Sequence, residues 1–264
     1  MATPQVVTIA DVIDNAKVGR LQVSLFVLLA LCLILDGFDV QVVGYVAPAI
    51  FQEWGAPRSA LGNVLAAGNF GILLGSLIFT MVADTIGRRP VLLGATIFFS
   101  VLTLMTARAG SVGELTIVRF IAGLGLGCII PNATALIGEY SPRRLRVTFM
   151  ACISVGFTAG GALAGFVSAW LIPAFGWRAV FYFGGITPLV IVVFMFIGMP
   201  ESLQFLVLRK RNRGNVARWL RRIDPTVPIG PNVEYVVQEE SKGGVPALHL
   251  FSDGRGPTTI LLWV

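Results

Sequence analysis

The chain has 264 residues, 55% of them hydrophobic and only 13% charged, with a mean hydropathy of +0.81. Soluble domains run near 25% charged, so this balance excludes an ordinary soluble globular protein and predicts a polytopic membrane protein. The net charge of +6 invites a nucleic-acid partner, but its placement along the chain accounts for it without one.

Residues 1–20 are polar and mixed in charge, lack the pattern of a cleavable signal, and read as a cytoplasmic N-terminal tail. Residues 21–199 hold six long apolar segments: Leu21–Ile50, Ala60–Ala83, Pro90–Ala107, Val112–Gly138, Val147–Ile172 and Ala179–Met199. Each is long enough to cross a bilayer as a helix. Residues 200–257 are polar and read as a cytoplasmic central loop. Apolar character returns at 258–264, which read as the start of a seventh helix cut short.

Lys and Arg set the orientation. With the N-terminus cytoplasmic, sixteen of the twenty basic residues fall inside, three (Arg58, Arg108, Arg178) fall outside, and Arg119 lies within a span. Within the central loop, Leu208–Arg222 (LRKRNRGNVARWLRR) interleaves basic residues with Val216, Trp219 and Leu220, and Ile223 follows. That pattern predicts a short helix lying on the inner leaflet, with a regulatory partner site as the alternative. An internal echo links Ile86-Gly87-Arg88-Arg89-Pro90-Val91 to Phe175-Gly176-Trp177-Arg178-Ala179-Val180. An inverted three-plus-three repeat would place the two on opposite sides of the membrane.

Leu35-Asp36-Gly37-Phe38-Asp39 interrupts the first apolar run. At ~1.5 Å per residue Asp36 lies roughly 22 Å along it, near the middle of a ~30 Å hydrocarbon core. A carboxylate at that depth costs about 2.5–3.5 kcal/mol on insertion scales, and two of them three residues apart share a helix face. Asp36 and Asp39 therefore demand a water-filled or protein-lined cavity and mark the centre of a transport pathway.

The break Ala83-Asp84-Thr85-Ile86-Gly87-Arg88-Arg89-Pro90 is tight, with Gly87 free to take a positive φ. Asp84 either exchanges arginine partners between conformations, as a gate does, or sits in a plain turn among positive-inside arginines. In the fourth segment Arg119 precedes Gly123, Gly125 and Gly127. No strand precedes those glycines and no ribose-binding acid follows, which excludes a dinucleotide site. Close helix packing explains them, as it does Gly71/Gly75, Gly156/Gly160 and Gly161/Gly165. A buried Arg119 must face a partner or a cavity: it either holds a substrate carboxylate bidentately or salt-bridges Asp36 or Asp39. At the end of that segment Glu139 is followed by Arg143, Arg144 and Arg146, which are expected to form a charge network with Asp84. Tyr45, Asn132 and Thr134 either line a cavity or make interhelical hydrogen bonds.

Cys32, Cys128 and Cys152 all lie in apolar runs and read as core residues. The single histidine, His249, lies in a polar stretch, so neither a His relay nor a His metal site is expected. No nucleophilic triad, Walker loop or metal-ligand spacing occurs, and enzyme activity is not expected.

These residues resemble a family. Asp84-Thr85-Ile86-Gly87-Arg88-Arg89 is similar to the signature loop between helices two and three of the major facilitator superfamily, and Arg119-x-x-x-Gly123 to its fourth-helix motif. More narrowly, Leu35-Asp36-Gly37-Phe38-Asp39 resembles the first-helix motif of the aromatic acid:proton symporters. Gly123–Gly127, Pro131-Asn132-Ala133, Glu139-Tyr140-Ser141-Pro142 and Pro200-Glu201-Ser202 match that family too. The resemblance implies an all-α fold, the N-terminal six helices of a twelve-helix transporter. It also implies proton-coupled uptake of an aromatic carboxylate of the benzoate or 4-hydroxybenzoate type across the bacterial inner membrane, driven by the proton gradient with no cofactor. Asp36 and Asp39 would couple protons; Arg119, with Tyr45 and Asn132, would bind substrate. Asp84, Gly87, Arg88, Arg89, Glu139, Arg143 and Arg144 would gate. Two positions depart from the signature loop: Thr80 stands where Gly is usual and Thr85 where a basic residue is usual. The expected partners are substrate, protons, membrane lipid and a complementary C-terminal half. The competing reading is a non-transporting fragment, or a half-transporter that needs that other half.

Overall fold

The computed structural model describes residues 5–209, 213–228, 230 and 233–236; the apolar stretch 258–264 and the rest of the central loop lie outside the described residues. A short strand, β1 (Gln5–Thr8), leads into α1 (Ile9–Asn15). Six spans follow: α2 (Arg20–Trp54), α3 (Ala60–Ile86), α4 (Arg88–Thr106), the pair α5 (Val112–Leu126) and α6 (Ile129–Tyr140), α7 (Arg143–Phe175) and α8 (Trp177–Gly198). The fourth span breaks at Gly127-Cys128, just ahead of Pro131. A proline has no N–H to donate and its ring crowds the carbonyl four residues back, here that of Gly127. Beyond the spans lie α9 (Leu203–Leu208), α10 (Arg213–Ile223) and β2 (Val233–Val236).

Lipid offers helices little hydrophobic reason to associate, so close packing through small residues takes over. Gly37 and Gly160 bring α2 against α7: a Cβ on either would lie 1.9 Å from the carbonyl oxygen of Phe157 or Ile34. Gly71, Gly75, Gly123 and Gly127 do the same for α3 and α5. The glycine of the Asp36-Gly37-Phe38-Asp39 motif is thus a packing residue. The third large contact joins α4 to α8.

These pairings have a symmetry. Exchanging the first three spans with the last three turns the α2–α7 contact into the α5–α3 contact and returns α4–α8 to itself, as an inverted repeat requires. The echo seen in sequence sits at matching places: Gly87 (φ 108°) ends α3 and starts α4, and Gly176 (φ 79°) ends α7 and starts α8.

The end of the bundle that carries the arginine-rich breaks, here called the basic end, is covered by short elements. β1 pairs in parallel with β2, so Gln5–Thr8 are built into a cap. The expectation that α10 lies on the leaflet is corrected. Its apolar stripe of Val216, Ala217, Leu220 and Ile223 is buried, packed toward α9, α1 and α2. Outside the hydrocarbon core water drives such burial, at about 1.5–3 kcal/mol for each large aliphatic side chain.

Candidate transport site

Three helices converge on one carboxylate. Asp39 of α2 is fully buried, and Arg119 of α5 grips it with Nη2 2.7 Å from Oδ2 and Nη1 3.3 Å from Oδ1. The same Nη2 also donates to the Asp39 carbonyl at 2.9 Å. From α4, the Thr103 hydroxyl donates to Asp39 Oδ1 at 2.5 Å. Of the two roles open to Arg119, this conformation adopts the ion pair. Asp36, one turn earlier, is 2% exposed, and its Oδ1 has no hydrogen-bond partner among the described residues. The aspartates that look alike in sequence therefore differ: Asp39 is held by three donor groups, and Asp36 has an oxygen with no partner among the described residues.

The cavity that adjoins Arg119 measures about 20 Å³, room for about one water. The other two residues expected to touch substrate lie elsewhere in the hydrogen-bond pattern. Asn132 is buried, and its Nδ2 donates to the Cys128 carbonyl of its own helix at 2.8 Å. Thr134 likewise donates back to Ile130. Tyr45 is 46% exposed, and its ring covers Gly165 of α7, where a Cβ would meet it at 3.2 Å. Neither Tyr45 nor Asn132 joins the Asp39–Arg119 cluster.

A second network occupies the basic end. Arg88 pairs with Glu139, and Glu139 also accepts from the Ser202 hydroxyl at 2.6 Å. Glu201 Oε1 accepts from the backbone N–H groups of Arg88 (2.9 Å), Arg89 (3.1 Å) and Ser202 (2.8 Å). It thereby caps the start of α4, where the N-cap, Gly87, has no side chain to do so. Tyr140 fixes the Glu201 carbonyl with its hydroxyl at 2.7 Å. Arg89 reaches α8, donating to the Phe196 carbonyl at 2.5 Å.

The start of α7 repeats the device: its N-cap is Pro142, and Asp14 of α1 accepts from Arg143 N at 2.8 Å. Arg146 pairs with the same carboxylate at 3.3 Å, and Arg144 donates to the Ala16 carbonyl at 3.1 Å. This corrects the expected charge network. The Arg144 and Arg146 side chains and the Arg143 backbone N–H meet the N-terminal segment, while Asp84 is exposed and has no ion pair among the described residues. Asp84 instead shares an open cleft of about 460 Å³ with Arg88, Gln204 and Arg209. Sequence reading assigned no role to Thr103, Glu201 or Asp14. The available signal was that neither Gly87 nor Pro142 can cap the helix it precedes.

Residues 29–235 match the Major Facilitator Superfamily. The chain belongs to that superfamily. It is 38% identical over 256 residues to the 4-hydroxybenzoate transporter PcaK of Acinetobacter baylyi, covering 96% of this chain and 56% of that protein. To the gallate transporter of Pseudomonas putida it is 37% identical over 258 residues, covering 98% and 57%. The chain thus spans about half the length of the curated relatives it matches. Among solved structures it shares the fold of the proton:xylose symporter XylE bound to 6-bromo-6-deoxy-D-glucose, with a TM-score of 0.69 and 21% identity. That match covers 77% of this chain and 50% of XylE. A bacterial homolog to the human lysosomal transporter Spinster, inward-facing and unoccupied, follows at a TM-score of 0.61 and 22% identity, with 70% and 44% covered. Superfamily membership and six helices long and apolar enough to cross a membrane agree on a multi-pass membrane protein.

Proposed function

We propose that the chain supplies one wall of the pathway in a proton-coupled symporter that carries an aromatic carboxylate inward. Membership of the superfamily and the two relatives named for 4-hydroxybenzoate and gallate transport support this reading. The observation that carries it is the buried pair of Asp39 and Arg119. A guanidinium held by a carboxylate is matched in shape and charge to a second carboxylate, that of the substrate. When Asp39 takes a proton its hold on Arg119 weakens, and an incoming acid can replace it. Proton and substrate then enter together. Asp36, buried without a partner at its Oδ1, is the second proton site in this reading, since binding a proton removes the desolvation cost of a bare carboxylate.

The reading extends to the basic end. Asp84, Gly87, Arg88, Arg89, Glu139, Arg143 and Arg144 act there as gating residues, and that end faces the cytoplasm, as the excess of arginine predicts. A complementary C-terminal half provides the facing wall. The membrane is the bacterial inner membrane.

Uptake of labelled 4-hydroxybenzoate by cells expressing the complete coding sequence tests the proposal. Accumulation should collapse when the proton gradient is discharged and should be absent in Asp39→Asn. Accumulation that survives both would overturn it.

A further inference from the structure

Helix α4 presents four hydroxyls on one face: Thr96, Ser100, Thr103 and Thr106, none more than 1% exposed. Each lies within hydrogen-bond reach of the carbonyl four residues back, at 2.7, 2.5, 2.9 and 2.9 Å respectively. Serine and threonine in apolar helices commonly satisfy themselves this way. Thr103 alone among them also faces a carboxylate. Its Oγ1 lies 2.5 Å from Asp39 Oδ1 and 2.9 Å from the Phe99 carbonyl. A hydroxyl carries one proton, so Thr103 donates to one of these oxygens at a time.

We propose that Thr103 is a positioning residue for the proton site, a donor to Asp39 when it is ionised and an acceptor from it when it is protonated. The proposal rests on the reading of Asp39 as a proton carrier. In the ionised state the Thr103 proton points at Oδ1, alongside the Arg119 bonds. When a proton arrives on Oδ1, that oxygen donates to Thr103 Oγ1, and the Thr103 proton turns to the Phe99 carbonyl. One proton is gained and none is lost from Thr103. Arg119 has only donors: it can keep a weaker hold on the unprotonated oxygen Oδ2, but it cannot accept from the O–H that protonation creates. Without Thr103 the ionised carboxylate keeps its guanidinium, whereas the protonated carboxyl loses the acceptor this geometry gives it. The balance then tilts toward the locked ion pair.

A plain interhelical hydrogen bond between α2 and α4 predicts a different pattern, because its loss would weaken every transport mode together. The complete protein, reconstituted in vesicles with 4-hydroxybenzoate as probe, separates the two. Net accumulation requires Asp39 to gain and lose a proton in each cycle. Exchange with substrate saturating on both sides keeps Arg119 occupied and the proton in place. Thr103→Val should lower gradient-driven accumulation about three- to tenfold, the weight of one hydrogen bond, while exchange stays within about twofold. Thr103→Ser should restore both. Wild-type accumulation in Thr103→Val overturns the proposal, and so does a parallel fall in both modes, whether or not Thr103→Ser rescues it. Asp39→Asn run beside them separates the two levels: if it still accumulates substrate, the proton-carrier reading itself fails. If it does not, and Thr103→Val behaves as wild type, only the role of Thr103 falls.

Discussion

At the centre of the bundle Arg119 gives both terminal nitrogens to one residue, Asp39, in a space where the two side chains are 4% and 0% exposed. At the basic end the acidic groups are spread more widely. Glu201 Oε1 accepts from backbone N–H groups at the start of α4, Asp14 divides itself between the Arg143 N–H at the start of α7 and the Arg146 guanidinium, and Glu139 divides itself between Arg88 and Ser202. The central pair is a charge matched to a charge, so removing one member strands the other in a dry interior. Glu201 and Asp14 stand in for caps that Gly87 and Pro142 cannot provide, and water can replace part of what they do. Burial, more than the number of ion pairs, should therefore rank the consequences of mutation.

The sharpest break comes from Arg119→Ala. Leaving Asp39 buried and unpaired should destabilise the fold by about 3–5 kcal/mol, measurable as a lower thermal midpoint of the purified protein. Replacing both partners, as Asp39→Asn with Arg119→Gln, should recover most of that stability while leaving accumulation abolished. If the double variant is no more stable than Arg119→Ala, the centre is held by something other than charge matching.

A smaller effect belongs to the basic end. Gly87 sits at φ 108°, and a Cβ there would approach Glu201 Oε2 to 2.5 Å. Gly87→Ala should cost about 1–3 kcal/mol through backbone strain and displace the Glu201 cap. Glu201→Gln keeps an acceptor and removes only the charge at the helix start, so it should cost less, about 0.3–1 kcal/mol. Thermal midpoints of the two variants, compared at low and high salt, check the order. Salt should shrink the Glu201 effect and leave the Gly87 effect unchanged. A Gly87→Ala variant as stable as Glu201→Gln would show that the turn relaxes and that its strain is not what holds the cap.

The same contrast explains what could be read from the sequence. Two starts, Ala60 and Val112, were legible to the residue, because a change from polar to apolar marks where a chain enters lipid. Several ends ran short: α2 continues past Ile50 to Trp54 and α3 past Ala83 to Ile86. Hydropathy reports the membrane, whereas a helix stops only where its backbone bonds stop. Asp36 and Asp39 were legible as a pair, since each is a carboxylate deep in an apolar run. Their inequality was not, because it depends on how α4 and α5 bring Thr103 and Arg119 beside α2. An amphipathic pattern showed that α10 has an apolar face without revealing that protein covers it. The borrowed caps were the least legible of all: Glu201 lies 113 residues from the Arg88 it caps, and Asp14 lies 129 from Arg143.

Asp84→Asn should have the smallest effect on stability, and for that reason it is the most informative about gating. In this conformation Asp84 is exposed, has no ion pair among the described residues, and borders an open cleft with Arg88 and Arg209 nearby. Surface substitutions of that kind usually stay within about 0.5 kcal/mol. A gating residue, by contrast, makes its contact in one state and gives it up in another, so its loss changes the balance between states without weakening the one described here. Asp84→Asn should therefore leave the thermal midpoint within about a degree or two, the scale of such a small change in a protein of this size, while lowering the rate of substrate uptake. Uptake at the wild-type rate with an unchanged midpoint would remove Asp84 from the gate and leave it an ordinary turn residue. A large fall in midpoint would mean that Asp84 already holds an ion pair in the resting protein, and the ranking by burial would fail at the residue where it predicts the least.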